Sequence, residues 1–333
     1  MKTVVSIILL ISFINGSAQV KKPKDFGFQH YQIKYKGDTV DILLQSKKGE
    51  ENVVKPLFFF CQGSLPQPLI KTVDNNIYGV FPFNTDSIIS KYHLVIISKP
   101  SIPLIVEASK LKDNFCYFDP LTNKFPSAYS KRNLLDYYVN RNLFVIDFLQ
   151  NQKMVSKQKL VVAGHSQGGA IASKMASISK KVTHLIFAST NPFGQIMSML
   201  QEYRKLESNT DSTRYGEQII QSWEMVVNDS NNMDDSDGDT YKSTYVFSIP
   251  PIDYLRKLQI PVLVCYGTND YNAPYNDYLQ VEMIRQKKNN FNFKAYVGLD
   301  HNYFGKKDNG EINYDDFNWD KVALDWYNWI QSK

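Results

Sequence analysis

Chemistry is most concentrated in the pentapeptide Gly164-His165-Ser166-Gln167-Gly168. Glycines two residues to either side of a serine form the nucleophile-elbow pattern. They let a strand and a helix close around a sharp turn, so that the hydroxyl stands above the sheet edge. A serine hydroxyl attacks a carbonyl only when a base takes its proton, and that base needs a carboxylate to orient it. The chain offers five histidines for the base: His30, His93, His165, His184 and His301. The competing reading of the pentapeptide is a tight strand-to-helix turn in which Ser166 merely caps the helix.

The flanking residues supply the elements an elbow needs. Lys159-Leu160-Val161-Val162-Ala163 is a short apolar run, the pattern of a strand buried on both faces. Gly168 to Ala176 is small and helix-forming, which predicts a helix starting just after Ser166. Upstream, residues 29–46 alternate (Tyr31, Ile33, Tyr35, then Val40, Ile42, Leu44) and predict a hairpin turning at Lys36-Gly37-Asp38. Buried strands follow at Pro56–Cys61 and Tyr92–Ser98, and a connection over 99–130 carries Phe115, Tyr117, Phe118, Phe125 and Tyr129. Those aromatics either wall a pocket or form the loop's own small core. Leu134, Leu135, Tyr138, Leu143, Phe144 and Phe148 recur at helical spacing, predicting one helix from about Ser130 to Gln150 behind a serine cap. Further strands are expected at 182–188, 260–266 and 291–297, with a closing amphipathic helix at 318–331. Strands alternating with helices at this spacing predict a mostly parallel, twisted α/β sheet with helices on both faces. The rhythm breaks over 191–250, where two helical stripes run through Ile196–Leu206 and Tyr215–Val226. Packing against the main domain is the commoner use of such stripes, with a membrane or partner contact as the alternative.

With its strand and helix context, the elbow resembles that of the α/β-hydrolase superfamily, and the likeness extends over roughly residues 29–331. The resemblance implies a core of residues 19–190 and 251–333, with 191–250 as a cap or lid insertion over the active site. It implies that the base lies on the loop after the last strand, which singles out His301 in Gly298-Leu299-Asp300-His301-Asn302. It implies an acid after the preceding strand, in Gly267-Thr268-Asn269-Asp270, with Pro274 four residues beyond; Asp270 therefore leads and Asp300 is the weaker rival. The alternative acid position of some relatives reads Ser189-Thr190-Asn191 and offers no carboxylate. The order Ser166, Asp270, His301 is that of the superfamily. Where relatives carry a His-Gly turn after the third strand, this chain has Gln62-Gly63. The implied oxyanion hole is therefore the backbone N–H of Ser64 with that of Gln167. His165, the variable residue of the elbow, is expected to point away from the serine's task.

The remaining features bound the setting. A length of 333 residues, 43% hydrophobic and 14% aromatic, is ample for one large α/β domain with an insertion. Residues 1–18 read as a leader: Met1-Lys2-Thr3, an apolar core from Val4 to Ile14, then small residues up to a cut before Gln19. That run is too short for a convincing membrane span, and no later segment is longer, so the mature chain is expected to be exported, periplasmic or secreted. The net charge of +5 is dispersed apart from Lys21, Lys22 and Lys24, which gives no nucleic-acid footprint. Cys61, Cys116 and Cys265 leave at least one thiol unpaired, with buried free thiols expected at Cys61 and Cys265, and no pair has metal-ligand spacing. The acidic stretch Asp234–Asp239 fails as a calcium loop, because alignment on Gly238 puts Met233 first and Thr244 twelfth.

The sequence thus predicts an exported serine hydrolase that cleaves carboxylic esters through Ser166, Asp270 and His301 and an acyl-enzyme, with no metal or organic cofactor. A serine peptidase acting on short peptides is the alternative, for which Glu202, Glu207, Glu217 and Glu224 could supply an amine-binding carboxylate. Thioesterase or lactonase chemistry would use the same groups. A non-enzymatic binding scaffold has no need to keep all three of them.

Overall fold

The computed structural model describes residues 21–74, 76–208, 212–234 and 239–333. The expected leader, and all of the acidic stretch except Asp234 and Asp239, lie outside these residues. The centre is an eight-stranded sheet of β1 (Phe28–Tyr35), β2 (Asp38–Gln45), β3 (Lys55–Cys61), β4 (His93–Ile97), β5 (Val155–His165), β6 (His184–Ala188), β7 (Val262–Gly267) and β8 (Phe291–Tyr296). Its spatial order is β1-β2-β4-β3-β5-β6-β7-β8. β1 and β2 are the predicted hairpin; β2 meets β4 antiparallel, and every later pairing is parallel. The expected α/β architecture is therefore present.

Alternation along the buried strands divides the core into two faces. Leu57, Phe59 and Cys61 of β3 face one side, against the helices Leu135–Gln150, Gln167–Ile178 and Ala273–Arg285. Phe58 and Phe60 face the other, against the closing helix Trp319–Gln331 and Phe81 and Phe83. Trp326 is the hub of that second face. It stacks on Phe58 at 6.5 Å, meets Phe83 and Trp319 edge-on, and donates its indole N–H to Cys265 Sγ at 3.2 Å.

Several elements differ from the sequence reading. The helix expected from Ser130 is two, Ser127–Arg132 and Leu135–Gln150, because Leu134 between them is extended; Ser130 sits inside the first and caps nothing. Stretches with no strand signal in the sequence fold into a small three-stranded sheet (Ile70–Val73, Asn76–Tyr78, Ile105–Glu107), and a hairpin (Phe304–Lys306, Ile312–Phe317) follows β8. Residues 191–250 hold the two predicted helices, Gln195–Arg204 and Tyr215–Asn228, and a third, Tyr241–Phe247. Phe118 packs on Phe125 at 4.7 Å and Phe125 on Tyr129 at 6.0 Å, so these three make a small core of their own, while Phe115 is exposed and meets Tyr78 at 5.0 Å. All three cysteines are free and buried.

Truncating the hub, Trp326→Ala, removes the largest fully buried side chain. It should lower the free energy of unfolding by about 3–5 kcal/mol, read from denaturant midpoints.

Candidate active site

Ser166 stands at the carboxyl end of β5, between that strand and the helix Gln167–Ile178. Its φ of 55° and ψ of −126° are strained for a residue with a side chain. The strain is held by what surrounds it. The Ser166 N–H donates to Ala188 O at 3.0 Å, and its carbonyl accepts from Gly169 N–H at 2.9 Å and the Thr190 hydroxyl at 2.7 Å. The helix can start this close to β3 only because residue 168 is glycine; a Cβ there would strike the carbonyl of Cys61.

The acid and base loops leave the neighbouring strands β7 and β8. They come together because Gly267 at the end of β7 has no Cβ to strike the carbonyls of Leu299 and Asp300, and because Asn269 N–H donates to Leu299 O at 2.8 Å. His301 Nδ1 then lies 2.9 Å from Asp270 Oδ2. The other oxygen of that fully buried carboxylate accepts from Asn272 N–H at 2.9 Å. Asp300, the rival acid, instead folds its own loop, with its Oδ1 accepting from the N–H groups of Asn302 and Phe304. With Asp270 accepting from Nδ1, the tautomer that leaves Nε2 free to take a proton is favoured.

Ser166 and His301 border the same pocket of about 210 Å³, together with Ser64, Gln167, Glu202 and Tyr271. Ser64, Ser166, Glu202, Tyr271 and His301 also border a wider cleft of about 550 Å³. Among the described residues Ser166 and His301 make no direct hydrogen bond; such bonds commonly tighten when substrate arrives. The turn at 62–64 runs beside the serine: a Cβ on Gly63 would lie 3.8 Å from Ser166 Cβ. Tyr129 fixes that turn by donating its hydroxyl to Ser64 O at 2.7 Å. Gln167 opens the helix, where first-turn N–H groups have no intrahelical acceptor. Among the described residues no cluster of three or more His, Cys, Asp and Glu could hold a metal ion, and no helix is long and apolar enough to cross a membrane.

Electrostatics set the state of the imidazole. Burial opposes its charged form, and this is the largest single effect on it. The charge and hydrogen bond of Asp270, aided by Asp300 and Glu202, outweigh burial and leave the His301 pKa raised above its ordinary 6.5. His165 shows the opposite balance. Burial, then the nearby His301, pushes its pKa down to about 3, so it is neutral and its Nε2–H donates to the His301 carbonyl at 2.9 Å.

That contact corrects the sequence expectation. His165 does not turn away from the chemistry but pins the backbone of the base loop, with its ring 4.9 Å from Trp319. Two further residues, Tyr271 and Asn272, escaped the sequence reading. Tyr271 stacks on His301 at 5.2 Å and 14°. Asn272 accepts from Ser198 at 2.8 Å and so ties the helix Gln195–Arg204 to the acid loop. Glu202, one of four carboxylates noted in the insertion, is the one that reaches the pocket. Its only clue was proximity in sequence to the predicted stripe. His30 proves to lie within β1, hydrogen-bonded to Asp41 at 2.8 Å, and His184 opens β6.

The model of the prolyl oligopeptidase family matches residues 128–324, a span that contains Ser166, Asp270 and His301 but begins after the Gln62–Ser64 turn. No curated protein sequence matches the chain. Among solved structures, Est1E from Butyrivibrio proteoclasticus is similar at 17% identity and a TM-score of 0.54, over 91% of this chain and 98% of that one. The uncomplexed acylaminoacyl peptidase from Pyrococcus horikoshii is similar at 14% identity and a TM-score of 0.51, over 90% of this chain but 41% of that one. A 2,6-dihydroxy-pseudo-oxynicotine hydrolase is similar at 12% identity and a TM-score of 0.51, over 91% and 66%. These likenesses bear out the α/β-hydrolase fold.

Only neutral His301 can take a proton, so the rate at which a fluorophosphonate modifies Ser166 should rise with pH through an inflection above 6.5. Glu202→Gln removes a charge that favours the imidazolium and should move that inflection to lower pH. His165 gives a second pH effect. Between 6.5 and about 3 the unfolded chain binds a proton there that the folded chain refuses, so stability falls as pH drops through that window. His165→Gln should flatten the slope by up to about 1.4 kcal/mol per pH unit, read from denaturant midpoints across the same range.

Proposed function

The chain belongs to the prolyl oligopeptidase family of serine hydrolases, and from that premise we propose that it is an exported hydrolase of carboxylic esters acting through a Ser166 acyl-enzyme. The observation that carries the reading is one juxtaposition. A serine held at φ 55° borders the same pocket as an imidazole hydrogen-bonded to a buried carboxylate. In the proposed mechanism Ser166 Oγ attacks the ester carbonyl as His301 Nε2 takes its proton. Asp270 holds the ring and balances the imidazolium. The N–H groups of Gln167 and Ser64 receive the developing oxyanion, a contribution of about 3–4 kcal/mol for each donor of this type. His301 then protonates the departing alcohol, and water activated by the same ring releases the acid. No cofactor takes part.

The pocket supports a modest acyl group, since Ala170, Met199, Phe247 and Pro251 give it an apolar wall. The helices of 191–250 contribute Ser198, Met199 and Glu202 to its lining and act in this reading as a cap. One observation favours a second reading: the Glu202 carboxylate at the pocket would pair with a substrate amine, as a peptidase for short peptides would want. Thioester or lactone cleavage would run through the same groups. The leader over residues 1–18 supports a periplasmic or secreted location.

Fluorophosphonate should label Ser166 and nothing else in the folded protein, located by peptide mass. Ser166→Ala should abolish labelling and lower kcat/KM by about 10⁴-fold or more. Short-chain p-nitrophenyl esters should be turned over faster than aminoacyl anilides. Turnover of anilides alone, reduced in Glu202→Gln, would replace the esterase reading with the peptidase one, and an unlabelled Ser166 would sink both.

A further inference from the structure

Behind the elbow, on the far side of Gln62 and Gln167 from the substrate pocket, two cations are buried side by side. Lys99 and Arg141 are 2% and 3% exposed. They flank the ring of Tyr138, with Lys99 Nζ 4.8 Å and the Arg141 guanidinium carbon 5.0 Å from its centroid. Arg141 donates one N–H to Ser98 O at 3.0 Å, and Lys99 reaches Gln167 Oε1 at 3.4 Å. Among the described residues neither has a carboxylate within ion-pair distance. The carboxylate that acts on Lys99 is Asp239, which is half-buried, is taken up by Asn133, Gln195 and Ser243, and has its pKa raised by loss of solvent.

Burial, with Arg141 beside it, pulls the Lys99 pKa down to about 7; below that pH two positive charges stand together without a counter-charge, at a cost of several kcal/mol for each ion. Between the two lies a cavity of about 20 Å³ lined by Cys61, Gln62, Lys99, Tyr138, Arg141 and Asn142. Two donors on its lining residues, Arg141 Nε–H and the Tyr138 hydroxyl, have no partner, nor has Asn142 Oδ1. The amide of Asn142 spends its N–H₂ on the weak sulfur acceptors Cys61 and Met175 at 3.6 Å, so turning it over would place a donor where that oxygen is. The volume suits one small occupant, about 10–15 Å³ being the least that a water needs.

We propose that this cavity is a binding site for one monatomic anion of halide size, held by Lys99, Arg141 and Tyr138. A single negative charge there answers both cations and gives the orphaned donors an acceptor. A water would leave the charge unbalanced and could not accept from all of them at once. Because Gln62 walls the cavity and Lys99 touches Gln167, the occupant would also steady the two backbone turns that flank Ser166. The proposal does not rest on the hydrolase reading, and neither readout below involves turnover.

Protein freed of halide should be melted in sodium bromide and in sodium gluconate at equal ionic strength, and crystals grown halide-free should be soaked in bromide. The expected results are a Tm raised by roughly 2–5 °C at saturating bromide and an anomalous peak between Lys99 and Arg141. Lys99→Met should remove both effects. If that variant does not fold, Tyr138→Phe keeps the test alive, since losing one donor should weaken the bromide dependence at least several-fold. An empty or water-filled cavity in the soaked crystals, or a Tm rise that survives unchanged in Tyr138→Phe or Lys99→Met, would overturn the proposal.

Discussion

Backbone pressed against backbone is the constraint on which this molecule depends. At the top of the sheet the helix after Ser166 starts so near β3 that no side chain fits between Gly168 and the carbonyl of Cys61. That contact sets the angle at which strand becomes helix and so forces Ser166 into a left-handed conformation it would not otherwise adopt. The same economy is repeated two strands away at Gly267, where bare backbone lets the loops after β7 and β8 touch. The two contacts together bring three distant stretches of chain to one rim. Everything polar at that rim is then placed to within hydrogen-bond tolerance by a framework with no side-chain freedom at its joints.

Charge is sorted across this rim. Asp270, Asp300 and Glu202 act together on the imidazole of His301 and favour positive charge there. On the opposite side of the elbow, Lys99 and Arg141 are buried behind the turns that carry Gln62 and Gln167. The proposed reaction would leave an imidazolium near those carboxylates and its oxyanion on the side of Lys99 and Arg141, along that gradient rather than against it. The dipoles are fixed before any substrate arrives, because Asp270 is held by Asn272, the His301 carbonyl by His165, and the Ser64 carbonyl by Tyr129.

How much of this could be read from the chain depended on range. The sheet, its hairpin and its alternating helices were legible because each rests on local periodicity: the runs around Phe58, Val95, Val161 and Val264 are apolar over lengths only a buried strand uses. The elbow was legible in its own glycine spacing, whereas Asp270 and His301 were singled out only through the superfamily resemblance, which says after which strands to look. What escaped was set by tertiary contact. The break at Leu134 obeys no breaker residue, since neither Asn133 nor Leu134 stops a helix on its own. The small sheet around Ile70 and the hairpin after Phe304 consist of strands three to six residues long, too short to show a period. His165 looked like a bystander because its partner, the carbonyl of His301, lies 136 residues away. Nor could four glutamates spread over two helices and the turn between them be ranked without the geometry that brings Glu202 alone of the four to the pocket.

The helix Gln195–Arg204 supplies Ser198, Met199 and Glu202 to the pocket, yet it has no fully buried residue of its own. Little apolar area anchors it, so the hydrogen bond from Ser198 to Asn272 is a principal latch. By the ordinary relation between contact density and local opening, this wall melts more easily than the strands beneath it. A ligand gripping Met199 or Glu202 must therefore supply part of the order it finds. Its affinity would carry a conformational entropy cost that a more deeply rooted wall would not impose. Selectivity and looseness then become two aspects of one segment, and a replacement that roots the helix more firmly would sharpen recognition of one substrate at the expense of tolerance for others.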